Sequence, residues 1–141
     1  MIENNQPAFW GIAAKKFIPG IAWFLLILVL VCTPGKDLPK VGDWFSLLDI
    51  DKLIHMGIFG VLAFLFMYPF LKSDLPKKQQ WYYCIKIAIA TCIYGYLTEL
   101  IQKYYIPGRS YDIIDFVSDG IGGILALVFS KIFFLKSSTP K

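Results

Sequence analysis

The strongly polar and charged side chains of this chain gather at the ends of apolar stretches, where they could do chemistry together. Ten of them form a candidate ligand-binding set: Asp51, Lys52, His55, Glu99, Gln102, Arg109, Ser110, Asp112, Asp115 and Asp119. Carboxylates and imidazoles bind divalent cations or transfer protons, and a guanidinium binds a phosphate through two parallel hydrogen bonds. We therefore expect one site for a charged ligand.

More specific roles follow from residue type. Glu99, Asp115 and Asp119 are candidate ligands of a divalent cation, and the residues indicate no other cofactor. His55, Glu99 and Asp115 are the candidates for a general acid or base. The sequence carries no H-E-x-x-H, no G-x-S-x-G and no other recognised catalytic signature. Whether the chain is an enzyme therefore stays open.

Arg109 is predicted to be the main partner of the acidic residues, paired with Glu99, Asp115 or Asp119. A guanidinium stays charged and offers five donors, so it can hold two carboxylates and still face an anionic ligand. Without such a partner, several carboxylates in a low dielectric would protonate. An anionic head group beside Arg109 and the start of the fourth stretch is the expected ligand.

A purely structural ion-pair network is the alternative interpretation of the same residues. Asp51 and Asp112 can cap helices, and Lys52 can extend its amine toward the membrane surface. However, an ionisable group at the centre of a membrane costs roughly 2.5 to 3.5 kcal/mol on insertion scales, and buried ion pairs are weak sources of stability. A cluster of this size therefore favours a functional pocket.

Four apolar stretches must position these side chains, at about 12–32, 53–71, 81–105 and 111–135. With 57% hydrophobic residues and a mean hydropathy of +0.59, the chain is too apolar for a soluble domain. About 20 residues of helix span a bilayer, and backbone groups in lipid must pair within their own segment. The sequence predicts an all-α polytopic membrane protein, a single domain over 1–141, with a short interfacial segment near 43–48.

Helical spacing predicts which faces look inward. Asp112, Asp115 and Asp119 lie on one side of the fourth helix, and Gly122 and Ala126 continue that stripe. The third helix carries a comparable stripe of small and polar residues: Ala88, Thr91, Cys92, Gly95, Glu99 and Gln102. Small residues let membrane helices approach closely, so these stripes should meet. Ser110 is the predicted N-cap of the fourth helix.

The basic residues predict the orientation. Four spans put both termini on one side, and that side holds nine lysines against two acids. The positive-inside rule then places both termini in the cytoplasm and the ten-residue set at the outer face. The lysines form no basic face with stacking aromatics, so no nucleic-acid partner is expected.

The polar residues resemble the VanZ-like family. Asp51-Lys52-x-x-His55, Glu99-x-x-Gln102 and Gly108-Arg109-Ser110-x-Asp112-x-x-Asp115 carry the resemblance, which covers about 51–123. That family commonly has an asparagine four residues after the second aspartate and a glycine three residues later. This chain has Asp119 in place of the asparagine and Gly122 at the position of the glycine. The resemblance implies a bacterial inner-membrane protein linked to resistance to teicoplanin, a glycopeptide with a lipid tail.

Three functions remain open at this point. The first is an outward-facing pocket for the head group of an envelope amphiphile, such as a membrane lipid or a lipid-linked cell-wall precursor. The second is an intramembrane hydrolase or transferase that acts on a lipid-linked substrate with a metal or an acid–base pair. The third is a non-catalytic assembly partner. A proton-coupled transporter is a further alternative, and it would require a homodimer, because four short spans are too few to build a pathway.

Overall fold

The computed structural model describes residues 8–9, 11–34 and 50–135, and these ranges form a bundle of four helices. Two-residue strands, β1 (Ala8–Phe9) and β2 (Ile12–Ala13), pair antiparallel before a 3-10 turn at Ala14–Phe17. The helices are α1 (Ile18–Cys32), α2 (Ile50–Leu71), α3 (Lys77–Tyr105) and α4 (Ile113–Phe134). Each has a candidate span long and apolar enough to cross a membrane, which confirms the predicted all-α membrane fold.

The helix boundaries differ from the predicted ones at the N-terminal ends. α1 begins at Ile18 rather than near 12, because the preceding residues pair as strands and Pro19 lies in the first turn, where its missing N–H costs nothing. α2 and α3 begin earlier than predicted, and α3 starts directly after Pro76. α4 begins at Ile113. The interfacial segment predicted near 43–48 lies outside the described residues.

The up-and-down order of the helices brings four helix ends together. α2 and α4 begin, and α1 and α3 end, at the same end of the bundle, which we call the site end. At the opposite end, Lys77 at the start of α3 donates a hydrogen bond to the backbone carbonyl of Phe134 at the end of α4. All the residues predicted to form the site therefore lie toward the site end of the bundle.

α2 and α4 run parallel and touch through their backbones. A Cβ added to Gly122 would overlap the carbonyl oxygen of Met56 and lie 2.8 Å from the backbone nitrogen of Gly60. A Cβ on Gly60 would lie 3.2 Å from the carbonyl oxygen of Gly122. The pair of glycines thus permits a helix contact that no larger residue allows.

The predicted inward stripes of α3 and α4 are confirmed. On α4, Asp119 is fully buried, whereas Ile113 and Ile124 are more than half exposed on the outer face. On α3, Thr91 and Glu99 are buried. Small and polar residues therefore fill the helix contacts, and the large apolar side chains face outward, as expected in lipid.

α1 packs on the outside of α2 and α3. Ile27 and Val31 pack against Phe59 and other apolar residues of α2. Two hydrogen bonds fix the position of α1: Trp23 Nε1 donates to the carbonyl of Ile58 at 3.0 Å, and Tyr94 donates to the carbonyl of Phe24 at 3.1 Å. α1 thus forms an outer wall beside the first turns of α2.

Candidate functional site

Lys52 binds the acids nearest the site end. Its Nζ lies 2.6 Å from Asp51 Oδ2, 3.3 Å from Asp112 Oδ2 and 2.9 Å from Asp115 Oδ1. Lys52 is on the first turn of α2, and its long side chain reaches the start of α4, so it does not simply extend to the membrane surface. We call these four residues the Lys52 group. They form a set of ion pairs in which one amine contacts three carboxylates.

A second group lies one turn deeper. His55 Nδ1 is 3.0 Å from Asp119 Oδ1, and its Nε2 is 3.8 Å from Asp115 Oδ2. At 1.5 Å per residue, His55, Glu99 and Asp119 each lie about 8 to 9 Å inside the nearest helix end. We call these three residues the His55 group. Asp115 lies between the two groups.

The acids of the His55 group are buried. Glu99 is 1% exposed and Asp119 is 0% exposed. Glu99 Oε2 accepts a hydrogen bond from the backbone N–H of Asp112 at 3.0 Å, which ties α3 to the start of α4. Glu99 Oε1 and Asp119 Oδ2 have no hydrogen-bond partner among the residues that the structure describes. Two carboxylate oxygens of the His55 group therefore remain without a hydrogen bond from the described residues.

Asp112, not Ser110, caps α4. Asp112 has extended backbone angles, and its Oδ1 accepts a hydrogen bond from the N–H of Ile114 at 2.8 Å. The prediction of Ser110 as N-cap is therefore wrong, because the two residues after Arg109 remain outside the helix. The Ile114 hydrogen bond lowers the pKa of Asp112, burial opposes that shift, and Lys52 adds to the lowering.

A cavity of about 310 Å³ opens between α1, α2 and the end of α3 at the site end. Its polar lining comes from Asp51, His55, Gln102 and Arg109. The remaining lining residues are apolar and were not singled out by sequence: Ile27, Leu30, Val31, Ile54, Ile58 and Phe59. One end of the cavity thus offers charges and an amide, and the rest offers hydrocarbon.

Arg109 does not pair with the acids. Within 8–9, 11–34 and 50–135 it forms no ion pair, and its buried Nε has no hydrogen-bond partner. The prediction that Arg109 binds Glu99, Asp115 or Asp119 is therefore wrong. Lys52 pairs with Asp115, His55 contacts Asp119, and Glu99 accepts its hydrogen bond from the backbone N–H of Asp112. Arg109 instead lines the cavity.

Gln102 and Ser110 were both predicted to belong to the site, but they lie in different surroundings. Gln102 is 6% exposed and lines the cavity, and its side-chain amide has no hydrogen-bond partner in the described part of the chain. Ser110 is exposed, and its hydroxyl bonds to no described residue. Gln102 therefore belongs to the wall of the cavity, whereas Ser110 lies on the rim of the bundle.

The set of residues placed to bind a metal ion differs from the predicted set. His55, Glu99 and Asp119 each offer one ligand atom, and these atoms lie within 4.8 Å of one another. Asp115, which we expected alongside Glu99 and Asp119, lies 2.9 Å from the amine of Lys52 instead. An imidazole thus replaces one of the three predicted carboxylates.

Comparisons of the chain with protein-family models, with curated proteins and with solved structures find no match. The resemblance to the VanZ-like family stays a prediction from the sequence. A function must therefore be inferred from the geometry and chemistry of the site itself.

Proposed function

We propose that this membrane protein binds an amphiphile with an anionic head group in the cavity at the site end, and that Arg109 binds the anion. The proposed setting is a bacterial cytoplasmic membrane, with both termini in the cytoplasm and the cavity facing outside. The excess of lysines on the side of the termini supports this orientation. The resemblance to the VanZ-like family supports the choice of a bacterial cytoplasmic membrane.

The guanidinium of Arg109, which has no ion-pair partner among the described residues, is the observation that carries this proposal. Five described carboxylates lie at the same end of the bundle, yet Arg109 forms no ion pair with any residue that the structure describes. A charge that is partly removed from water is unfavourable unless an opposite charge or a hydrogen-bond acceptor faces it. A phosphate in the cavity would supply both, through two parallel hydrogen bonds.

The apolar wall supports an amphiphile over a free anion. Ile27 and Val31 of α1 and Phe59 of α2 face the same cavity as the guanidinium. A volume of about 310 Å³ is at the lower end of the range for ligand sites, roughly 300 to 1,000 Å³. The cavity therefore has room for a head group and the first part of a hydrocarbon chain, whose remainder would extend into lipid.

The shared chemistry of the ligand is a phosphate ester on a hydrocarbon chain. A lipid-linked cell-wall precursor and an anionic phospholipid both carry it. The implied link to teicoplanin, which has a lipid tail and acts at the cell surface, is compatible with either source. We place the head group near Arg109 and Gln102, because both line the cavity and neither side chain has a partner among the described residues.

Native mass spectrometry of the protein in mild detergent tests the proposal. A short polyprenyl phosphate should bind, and the matched polyprenol, which lacks only the phosphate, should bind much more weakly. A hydrogen bond to a charged group contributes about 1.5 to 3 kcal/mol, so Arg109→Gln should weaken phosphate binding roughly 10- to 100-fold. Arg109→Lys should fold normally yet bind less tightly, since an amine lacks the planar fork.

Lys103→Gln is the matched control. Lys103 is an exposed cation near the end of α3, stacked beside Tyr104 and Tyr111 rather than lining the cavity. Loss of this cation should leave the binding of polyprenyl phosphate unchanged.

Equal binding of polyprenyl phosphate and polyprenol, or full binding of polyprenyl phosphate by Arg109→Gln, would contradict the proposal and favour an assembly role. Tighter binding of phosphatidylglycerol than of polyprenyl phosphate would identify a phospholipid as the source, and dephosphorylated product in the spectrum would indicate a hydrolase.

A further inference from the structure

We propose that His55, Glu99 and Asp119 bind one divalent transition-metal cation in the space between α2, α3 and α4. One atom from each side chain contributes to the site, and the three atoms lie within 4.8 Å of one another. Each ligand comes from a different helix, so the ion would hold three helices together. Glu99 and Asp119 do not line the cavity, so this inference does not depend on amphiphile binding.

The distances are longer than those around a bound ion, but within reach of them. Zinc lies about 2.0 to 2.2 Å from imidazole nitrogen and carboxylate oxygen, so two ligands of one tetrahedral ion are roughly 3.3 to 3.6 Å apart. The three ligand atoms lie within 4.8 Å of one another and would therefore have to close by up to about 1.5 Å. Rotations about the side-chain bonds of Glu99 and Asp119 can supply a movement of this size.

The unsatisfied oxygens are the second, independent observation. Glu99 Oε1 and Asp119 Oδ2 belong to side chains that are 1% and 0% exposed, and neither oxygen has a hydrogen-bond partner in the described ranges. The amine of Lys52 is within ion-pair distance of three other carboxylates. Buried polar atoms without partners are unfavourable, and a cation bound by the two carboxylates would offset that cost.

The surroundings of the three residues resemble those that orient metal ligands. Glu99 Oε2 accepts a hydrogen bond from the backbone N–H of Asp112, which fixes the carboxylate and leaves Oε1 free. His55 Nε2 faces Asp115 Oδ2 at 3.8 Å, and Nδ1 is the nitrogen directed at Asp119, 3.0 Å from its Oδ1. A carboxylate behind a ligating imidazole is common at metal sites, where it fixes the ring.

The ligand set favours a particular class of ion. Carboxylates alone suit Mg²⁺ and Ca²⁺, but an imidazole shifts the preference toward Zn²⁺, Fe²⁺ or a related first-row cation. Three protein ligands leave at least one coordination position for water or for an oxygen of a ligand. Because His55 also lines the cavity, the ion would lie next to the space occupied by the head group.

Metal titration of the detergent-purified protein, stripped with chelator and without added lipid, tests the inference. Co²⁺ should bind at one ion per chain with a d–d absorption spectrum, and Zn²⁺ should displace it. Loss of a residue that only orients a metal ligand costs roughly 10- to 100-fold in affinity, so Glu99→Gln and Asp119→Asn should each weaken binding by more than about 100-fold.

Asp112→Asn is the matched control. It removes a carboxylate of the Lys52 group but keeps the backbone N–H that binds Glu99 and a side chain that caps α4. Its affinity for Co²⁺ should stay within about threefold of the wild type. Equal loss in Asp112→Asn and Asp119→Asn would show diffuse attraction of cations to acidic groups and would overturn the site.

Spectroscopy on the wild type keeps the inference testable if a variant fails to fold. Pulsed EPR of bound Mn²⁺ should show modulation from one imidazole nitrogen, since His55 is the one histidine of the chain. No binding, or bound Mn²⁺ without nitrogen coupling, would overturn the inference. Arg109→Gln should keep Co²⁺ binding while losing polyprenyl phosphate, so failure of the metal site and failure of the amphiphile site can be told apart.

Discussion

His55 Nδ1 lies 3.0 Å from Asp119 Oδ1 and joins α2 to α4 beside their backbone contact. Asp119 is fully buried, so this contact has little competition from water. Hydrogen bonds to charged groups contribute about 1.5 to 3 kcal/mol, and contacting residues show coupling of similar size. The pair therefore links the same two helices that the ion pairs of Lys52 join one turn nearer the site end.

A double-mutant cycle should detect this link. His55→Gln and Asp119→Asn should each lower the free energy of unfolding of the metal-free protein in detergent, and the double variant should lose less than the sum. We expect a coupling energy of about 1 to 3 kcal/mol. Strictly additive losses would mean that the two side chains do not stabilise each other.

Gly122→Ala should destabilise the bundle. The new Cβ would overlap the carbonyl of Met56 and force α2 away from α4. Overpacking of this kind costs about 1 to 3 kcal/mol, measurable by thermal unfolding in detergent. Gly57→Ala is the matched control, because a Cβ there meets nothing within 4 Å. It should be neutral or stabilising by up to about 1 kcal/mol, as alanine favours helix. Equal effects of the two substitutions would contradict the close helix contact.

Removal of the Asp112 cap should weaken the start of α4. Asp112→Ala should cost about 0.5 to 2 kcal/mol of unfolding free energy, whereas Asp112→Asn keeps a capping acceptor and should cost less. The lowered pKa of Asp112 means that its charged form stabilises the fold above its ordinary value of 3.8. That contribution disappears as pH falls below this value. The gap between wild type and Asp112→Asn should therefore shrink in acid, and a constant gap would exclude a role for the charge.

Cysteine labelling tests the orientation. In a chain whose three native cysteines are replaced, a cysteine at Ser46 should react with an impermeant reagent added outside intact cells. A cysteine at Gln79, which is exposed near the start of α3, should react only after the membrane is opened. The nine lysines against two acids on the side of Gln79 are the physical reason. The reverse pattern would place the cavity on the cytoplasmic face.

The four helices and their inward faces could be predicted because lipid imposes simple rules. Apolar length sets the number of spans, and the spacing of Asp115, Asp119 and Gly122 sets the inward face of α4. Hydropathy does not predict where α1 begins. Ile12 is as apolar as a residue of a span, yet it pairs as a strand, so hydropathy placed the start of α1 too early.

The pairing within the site could not be predicted from spacing. Periodicity gives depth and face, but it does not say which of several cations reaches a given acid. Lys52 spans from α2 to α4, whereas Arg109 follows Gly108, whose φ of 80° sets a chain direction that no helical pattern contains. Sequence spacing likewise does not show which glycine of α2 contacts another helix. Gly57 and Gly60 are alike in sequence, and only Gly60 touches α4.

The contact between Gly60 and Gly122 gives the parallel helices a fulcrum close to the site. His55 is about 7.5 Å along α2 from this point, and Phe134 is about 18 Å along α4 in the other direction. A change of about 10° in the crossing angle would move His55 by about 1 Å but the far end of α4 by about 3 Å. Helices tilt to match bilayer thickness. The short lever arm therefore shields the geometry around His55 from such changes, while the distant ends of the helices absorb them.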